Sequence, residues 1–148
     1  MRILDGQPFL ILLVEDNDDH AELMMRSLQE HRVINEVLHI KDGMEAMDFL
    51  FHRGIHADNQ SVPDLILLDL RLPRVDGLTI LKAIKEDDTL KKIPVVIMTS
   101  SNAEKDVQTA YQYHANSYIT KPIEFLDFTR MMEDLGYYWI GWNMNPFQ

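Results

Sequence analysis

Residues Phe9–Asp16 read FLILLVED: an unbroken apolar run that stops on two carboxylates. The form recurs three times. Leu65–Asp69 is LILLD, Val95–Ser100 is VVIMTS, and Ser117–Lys121 is SYITK. Short continuous apolar runs are the signature of strands buried on both faces, the situation of a parallel sheet. In an open parallel sheet, ligands bind beyond the carboxyl ends of the strands. Side by side and parallel, these four runs bring Glu15, Asp16, Asp69, Thr99, Ser100 and Lys121 to one crevice. Three carboxylates, hydroxyls and an ammonium suit a divalent cation and a phosphoryl group.

Outward from these runs, strand and helix alternate five times. A helix is expected from Asp18 or Asp19, with Leu23, Met24, Leu28 and His31 inward. Val37–Ile40 reads as a second strand. Asp42 and Glu45 have capping-box spacing, so a second helix follows, with Met44, Met47, Leu50 and Phe51 inward. His52–Pro63 is polar, holds Gly54 and Pro63, has no period, and reads as a long surface loop. Asp76-Gly77 marks a turn into a third helix through Leu78, Leu81 and Ile84. Ser101 and Glu104 form a second candidate capping box, for a helix carrying Val107, Ala110 and Tyr111. A final helix follows Pro122. Strands alternating with helices imply right-handed crossovers. The expected fold is therefore α/β: a flavodoxin-like (βα)5 doubly wound parallel sheet of strand order 2-1-3-4-5. Residues 1–148 are read as one domain, with its core at about 9–135 and a helical, aromatic extension at 136–148.

Composition narrows the function. The formal net charge is -10, which argues against a nucleic-acid surface or adhesion to an anionic membrane. There is no cysteine, which excludes disulfides, thiolate catalysis and Cys-ligated zinc. The longest apolar run is too short to span a bilayer. The N-terminus does not read as a signal peptide, so the cytoplasm is the expected location. The six histidines show no metal-ligand spacing and read as surface or boundary residues.

An acid after one apolar run is ordinarily a solvated strand end. Three acids on two strands that the fold makes neighbours are different. Such carboxylates repel at close range unless a cation sits among them. An oxygen-only ligand set suits Mg²⁺. Lys121 alone would read as a solvated lysine, but Pro122 holds its backbone extended, and its stem can reach the acids. Thr99 reads either as a β-former or as a hydrogen-bond donor to a phosphate oxygen.

These elements resemble the receiver domains of two-component response regulators over residues 9–135. Carrying the resemblance are Glu15-Asp16, Asp69 within LILLDLRLPRVDG, Thr99 within IPVVIMTSS, and Lys121-Pro122 within NSYITKP. The resemblance implies a phosphoacceptor rather than an enzyme, taking a phosphoryl group from a sensor histidine kinase onto Asp69. It implies Mg²⁺ held by Glu15, Asp16, Asp69 and the backbone carbonyl of Arg71. Thr99 would follow the phosphoryl oxygen, Lys121 would pair with it, and Tyr118 would be the aromatic switch. The Lys121–Pro122 bond is often cis in this family. Glu15 stands where many receivers have Asp. VEDN, the extended loop before PDLILLDLRLP, and the aromatic tail are most similar to single-domain regulators paired with phytochromes.

Phe125, Phe128, Met132, Leu135, Trp139 and Trp142 are spaced 3, 4, 3, 4 and 3, an a/d stripe. Either the helix ends at Gly136 and the aromatics fold back, or it continues and they need another surface. The family resemblance implies a homodimer through the fourth helix, fifth strand and fifth helix with the aromatic tail. Three rivals remain. An aspartyl phosphatase wants a second Asp where Arg71 stands. A flavin carrier wants a phosphate-cradling loop where Glu15–Asp19 stand. The third is a receiver-like adaptor acting by protein binding without phosphorylation.

Overall fold

The computed structural model describes residues 8–30 and 35–143. His31 and the tail beyond residue 143 lie outside the described residues. Five strands, β1 (Phe9–Val14), β2 (Asn35–Ile40), β3 (Leu65–Leu68), β4 (Val95–Thr99) and β5 (Ser117–Thr120), alternate with five helices. These are α1 (Asp18–Gln29), α2 (Gly43–Leu50), α3 (Gly77–Glu86), α4 (Glu104–Gln112) and α5 (Phe125–Gly136). The strands are parallel, in the order β2-β1-β3-β4-β5. This is the doubly wound flavodoxin-like sheet that the apolar runs predict.

Alternate strand residues feed two cores. Leu12, Val14, Ile66, Leu68, Val95 and Ile97 pack under α2, α3 and α4. Ile11, Leu13, Leu65, Leu67, Val96 and Met98 pack under α1 and α5. Burial on both faces accounts for the absence of polar alternation in β1, β3 and β4. Three helices start on side-chain caps. Asn17 accepts from His20 N–H at 3.0 Å, Asp42 from Met44 N–H at 2.7 Å, and Asp76 from Thr79 N–H at 3.0 Å.

Several local expectations are corrected. The inner face of α2 is Ala46, Phe49 and Leu50, while Met44 is exposed. The long loop contains a 3₁₀ turn, Gly54–His56, docked on α2: His56 Nε2 lies 3.1 Å from Glu45 Oε2, and its ring meets Phe49 edge-on. Ser101 caps nothing in partnership with Glu104. Its hydroxyl donates to Asp106 at 2.6 Å, and α4 begins two residues later than a Ser101 cap requires. Tyr111 is exposed. The backbone bond Lys121–Pro122 is trans.

The C-terminal alternative resolves toward continuation. Gly136 is right-handed helical (φ -61°, ψ -45°), and the chain runs on as a π-helix, Tyr137–Trp142. Its i→i+5 bonding widens the turn and breaks the a/d stripe. Phe128, Met132 and Leu135 are buried, but the next buried hydrophobic side chain is Ile140, five positions on. Trp142 is left 80% exposed and Phe125 61%. Among the described residues, no helix is long and apolar enough to cross a membrane.

Candidate functional site

Ladder hydrogen bonds aim the strand ends at one point. Glu15 N–H donates to Ile40 O at 3.0 Å, Asp69 N–H to Val14 O at 3.0 Å, and Lys121 N–H to Thr99 O at 2.7 Å. Each of these residues is the first beyond its strand, so its side chain leaves the sheet at the carboxyl edge. The loop after Asp69 returns tightly: Gly77 N–H donates to Leu70 O at 2.9 Å. A Cβ on Gly77 would lie 2.2 Å from the Asp69 carbonyl oxygen. Only glycine lets α3 start this close to the site.

A cavity of about 200 Å³ opens there, lined by Glu15, Asp16, His20, Asp69, Thr99 and Lys121 among others. Lys121 is its centre, with a side chain only 3% exposed. Its ammonium donates to Glu15 Oε1 and, at 2.9 Å, to Asp69 Oδ2. A third neighbour is His20 Nδ1 at 3.1 Å. The second oxygens are also engaged: Asn17 N–H donates to Glu15 Oε2 at 3.1 Å, and Arg71 N–H to Asp69 Oδ1 at 3.2 Å. Asp16 is exposed at the mouth.

The two buried carboxyls diverge in proton affinity. Burial pushes Glu15 up to about 7, against the pull of Lys121. Burial also works to raise Asp69, but the Lys121 hydrogen bond and charge overcome it and hold that carboxyl below its ordinary value. One ammonium divided between two acids keeps one readily ionised at the expense of the other. His20 is held low, first by burial and then by the Lys121 charge.

A polar chain leaves the cavity toward α4. Thr99 is fully buried, and its hydroxyl oxygen accepts from Ser101 N–H at 3.4 Å. Tyr118, on β5, donates its hydroxyl to Ser101 O at 2.9 Å, and its ring packs on the core beneath α4. Asp106 gathers the Ser101 hydroxyl and, at 2.9 Å, the Arg71 guanidinium.

Glu15, Asp16 and Asp69 offer carboxylate oxygens that all lie within 4.8 Å of one another. Three acids against one lysine leave excess negative charge, and the donors are hard oxygens. That combination fits a divalent cation of the magnesium type. Thus Glu15, Asp16, Asp69, Thr99 and Lys121 meet as expected, Arg71 lines the same cavity, and Tyr118 sits one step away behind Ser101. Sequence reasoning missed His20 and Asp106. Spacing rules search for ligands one or two turns apart on a helix, whereas His20 meets Lys121 across 101 positions of chain.

Comparison with known proteins agrees with this geometry. The family model described as the response regulator receiver domain matches residues 11–133. The chain is 44% identical over 140 residues to the probable methanogenesis regulatory protein FilR2 of Methanothrix harundinacea (strain 6Ac), covering 94% of this chain and 88% of that one. It is 39% identical over 133 residues to response regulator Rcp1 of Synechocystis sp., covering 90% of each. The crystal structure of Mn²⁺-bound Rcp1 superposes with a TM-score of 0.91 at 38% identity, covering 94% of this chain and 99% of Rcp1. That of the phosphorylated cyanobacterial phytochrome response regulator RcpA gives 0.90 at 41% identity, with 95% and 99% covered. Sheet order, strand-end site and family match lead to one conclusion: this chain belongs to the response regulator receiver domain family.

Proposed function

We propose that the chain is a phosphoacceptor that takes a phosphoryl group onto Asp69 and converts it into a changed protein-binding face. One observation carries this reading. A buried ammonium, Lys121, bridges Asp69 and Glu15 in a cavity that also holds Asp16 and Thr99. Phosphoryl transfer asks a protein mainly for positioning and charge neutralisation, and the cavity supplies both. Glu15, Asp16, Asp69 and the backbone carbonyl of Arg71 would hold Mg²⁺, whose charge offsets that of the phosphoryl oxygens. An Asp69 oxygen attacks phosphorus, and the bond from phosphorus to the kinase imidazole nitrogen breaks, the imidazole leaving with the electron pair. Lys121 stays beside the new acyl phosphate. Thr99 turns its hydroxyl to a phosphoryl oxygen, and the Ser101–Tyr118 contact carries that shift to α4 and β5.

The test is labelling by acetyl phosphate with Mg²⁺, read as the mass gain of one phosphoryl group. Asp69→Asn should take none. A variant that labels as the parent does sinks the assignment, and a chain that works as an adaptor without phosphorylation takes no label at all.

The proposed donor is a cytoplasmic histidine kinase of the phytochrome type, supported by the likeness to Rcp1 and RcpA. Phosphotransfer profiling against candidate kinases decides it, and preference for a kinase without a phytochrome module would redirect the assignment toward the FilR2-like relative. We read residues 1–148 as a single receiver unit that pairs with a second copy through α4, β5, α5 and the aromatic segment. Ile123, Phe125, Leu126, Tyr137, Tyr138 and Trp142 are all exposed there, and exposed large apolar side chains of this kind mark protein contact surfaces. Trp142→Glu should convert dimers to monomers in sedimentation while changing folding stability by no more than ~0.5 kcal/mol. A parent that sediments as a monomer at high concentration removes the dimer.

A further inference from the structure

The Lys121 ammonium has three N–H donors and three neighbours to receive them: Glu15 Oε1, Asp69 Oδ2 and His20 Nδ1. Two of these neighbours are also joined to each other through Asn17. Glu15 Oε2 accepts from Asn17 N–H at 3.1 Å, and the Asn17 side chain accepts from His20 N–H at 3.0 Å. Glu15, Asn17, His20 and Lys121 therefore form a closed ring of hydrogen bonds, and Asp69 hangs from it at the ammonium. The imidazole is backed by Phe128 of α5, ring centroids 5.7 Å apart and planes inclined by 32°. Its position is thus fixed from two sides, by the α1 cap and by the α5 core.

We propose that His20 is a positioning residue for phosphoryl transfer: with Glu15 it clamps the Lys121 ammonium in place when Asp69 turns its oxygen to phosphorus. The inference rests on the phosphoacceptor reading of Asp69 given above. In the transfer from acetyl phosphate, an Asp69 oxygen forms a bond to phosphorus. The bond from phosphorus to the acetate oxygen breaks, and acetate leaves with the electron pair. Asp69 then no longer offers a full carboxylate charge to the lysine. Held by Glu15 alone, the ammonium would be drawn toward that single anion. A second, neutral acceptor keeps it aimed into the cavity without competing for it as a third anion would. This role requires the His20 tautomer with hydrogen on Nε2 and a bare Nδ1, because a protonated Nδ1 cannot accept. Nothing in the sequence pattern marks the residue, since its partner comes from the far end of the chain.

Two variants separate the acceptor from the ring. His20→Phe keeps an aromatic against Phe128 and removes the acceptor. His20→Asn loses the ring but can place a carbonyl oxygen where Nδ1 stands. With acetyl phosphate and Mg²⁺ at saturation, His20→Phe should lower the maximal labelling rate about tenfold, the scale of one hydrogen bond to a charged group. The Mg²⁺ concentration for half the effect should not move. His20→Asn should recover most of the rate. Nitrogen NMR of the folded parent should show Nδ1 unprotonated and Nε2 protonated. Any of three results overturns the clamp: a proton on Nδ1, His20→Phe labelling as the parent does, or His20→Asn no faster than His20→Phe. If His20→Phe does not fold, the asparagine variant and the ring nitrogens still decide. A parent that takes no label refutes the phosphoacceptor reading instead, and the ring nitrogens then judge the contact alone.

Discussion

Lys121 and Lys85 stand at opposite ends of the same sheet, each with three acceptors around its nitrogen. At the carboxyl end, two of the three acceptors of Lys121 are carboxylates. At the amino end, Lys85 donates to Lys91 O at 3.0 Å, Ile93 O at 2.8 Å and Asn116 Oδ1 at 3.1 Å, all neutral. Asn116 Oδ1 also accepts from Val95 N–H at 2.8 Å. Lys85 thus staples the end of α3 to the entries of β4 and β5. At the same end, buried Asp64 accepts from the backbone N–H of Leu10 at 2.8 Å. Lys85 is met there by backbone and amide dipoles, which hold geometry. The carboxyl end gathers charges against charges and is left with a net negative balance. One arrangement is a fastening; the other is poised to accept a cation and then a phosphoryl group.

The largest effect should come from breaking the charged end. Lys121→Met leaves Glu15 and Asp69 buried without a cation, and removing one partner of such a buried pair costs about 3–5 kcal/mol. Chemical denaturation at neutral pH should read that loss. Added Mg²⁺ should return part of it by restoring positive charge among the acids. Lys85→Met should cost less, about 1–2 kcal/mol, because it strips donors from neutral oxygens that water can partly reach. It should leave Asp69 labelling intact, and Mg²⁺ should not rescue it. If the two variants lose the same stability and respond alike to Mg²⁺, the distinction between the two ends is wrong.

The same contrast governs what was legible in the sequence. The strands and their terminal residues could be read because burial on both faces suppresses polar residues within a run. A polar group at its end then stands out: Glu15, Asp16, Asp69, Thr99 and Lys121 were all found this way. Lys85 could not be found so, since it lies on a helix and its partners are carbonyls, which every residue possesses. His20 was hidden for a related reason, as the side-chain contacts that mark it are a ring and a lysine from distant parts of the chain. The aromatic stripe misled beyond Leu135 because a 3-4 spacing presumes α-helical bonding throughout. The π-turn puts the next fully buried side chain at Ile140 instead of Trp139, which is only partly buried, and only the hydrogen bonds reveal it. Ser101 fits a capping-box pattern, but its hydroxyl donates to Asp106 in the first turn of α4.

The smallest effect concerns Lys85 alone and sharpens the comparison through pH. Burial pushes its amine down to about 8 from an ordinary value of 10.5. Between those values the unfolded chain keeps a proton that the folded chain has released. Stability then rises with pH across that window, because the unfolded state binds more protons. The contribution is fully present above about 10.5 and is lost as pH falls through about 8. Solvent around a half-buried amine keeps the slope shallow. Subtracting the denaturation curves of Lys85→Met from those of the parent isolates it, since the variant has nothing to titrate there. The difference should grow in favour of the parent from pH 8 upward. A flat difference would mean that three neutral oxygens hold an ammonium as firmly as carboxylates do. The charge at the Lys121 end would then need another explanation than the chemistry of its acceptors.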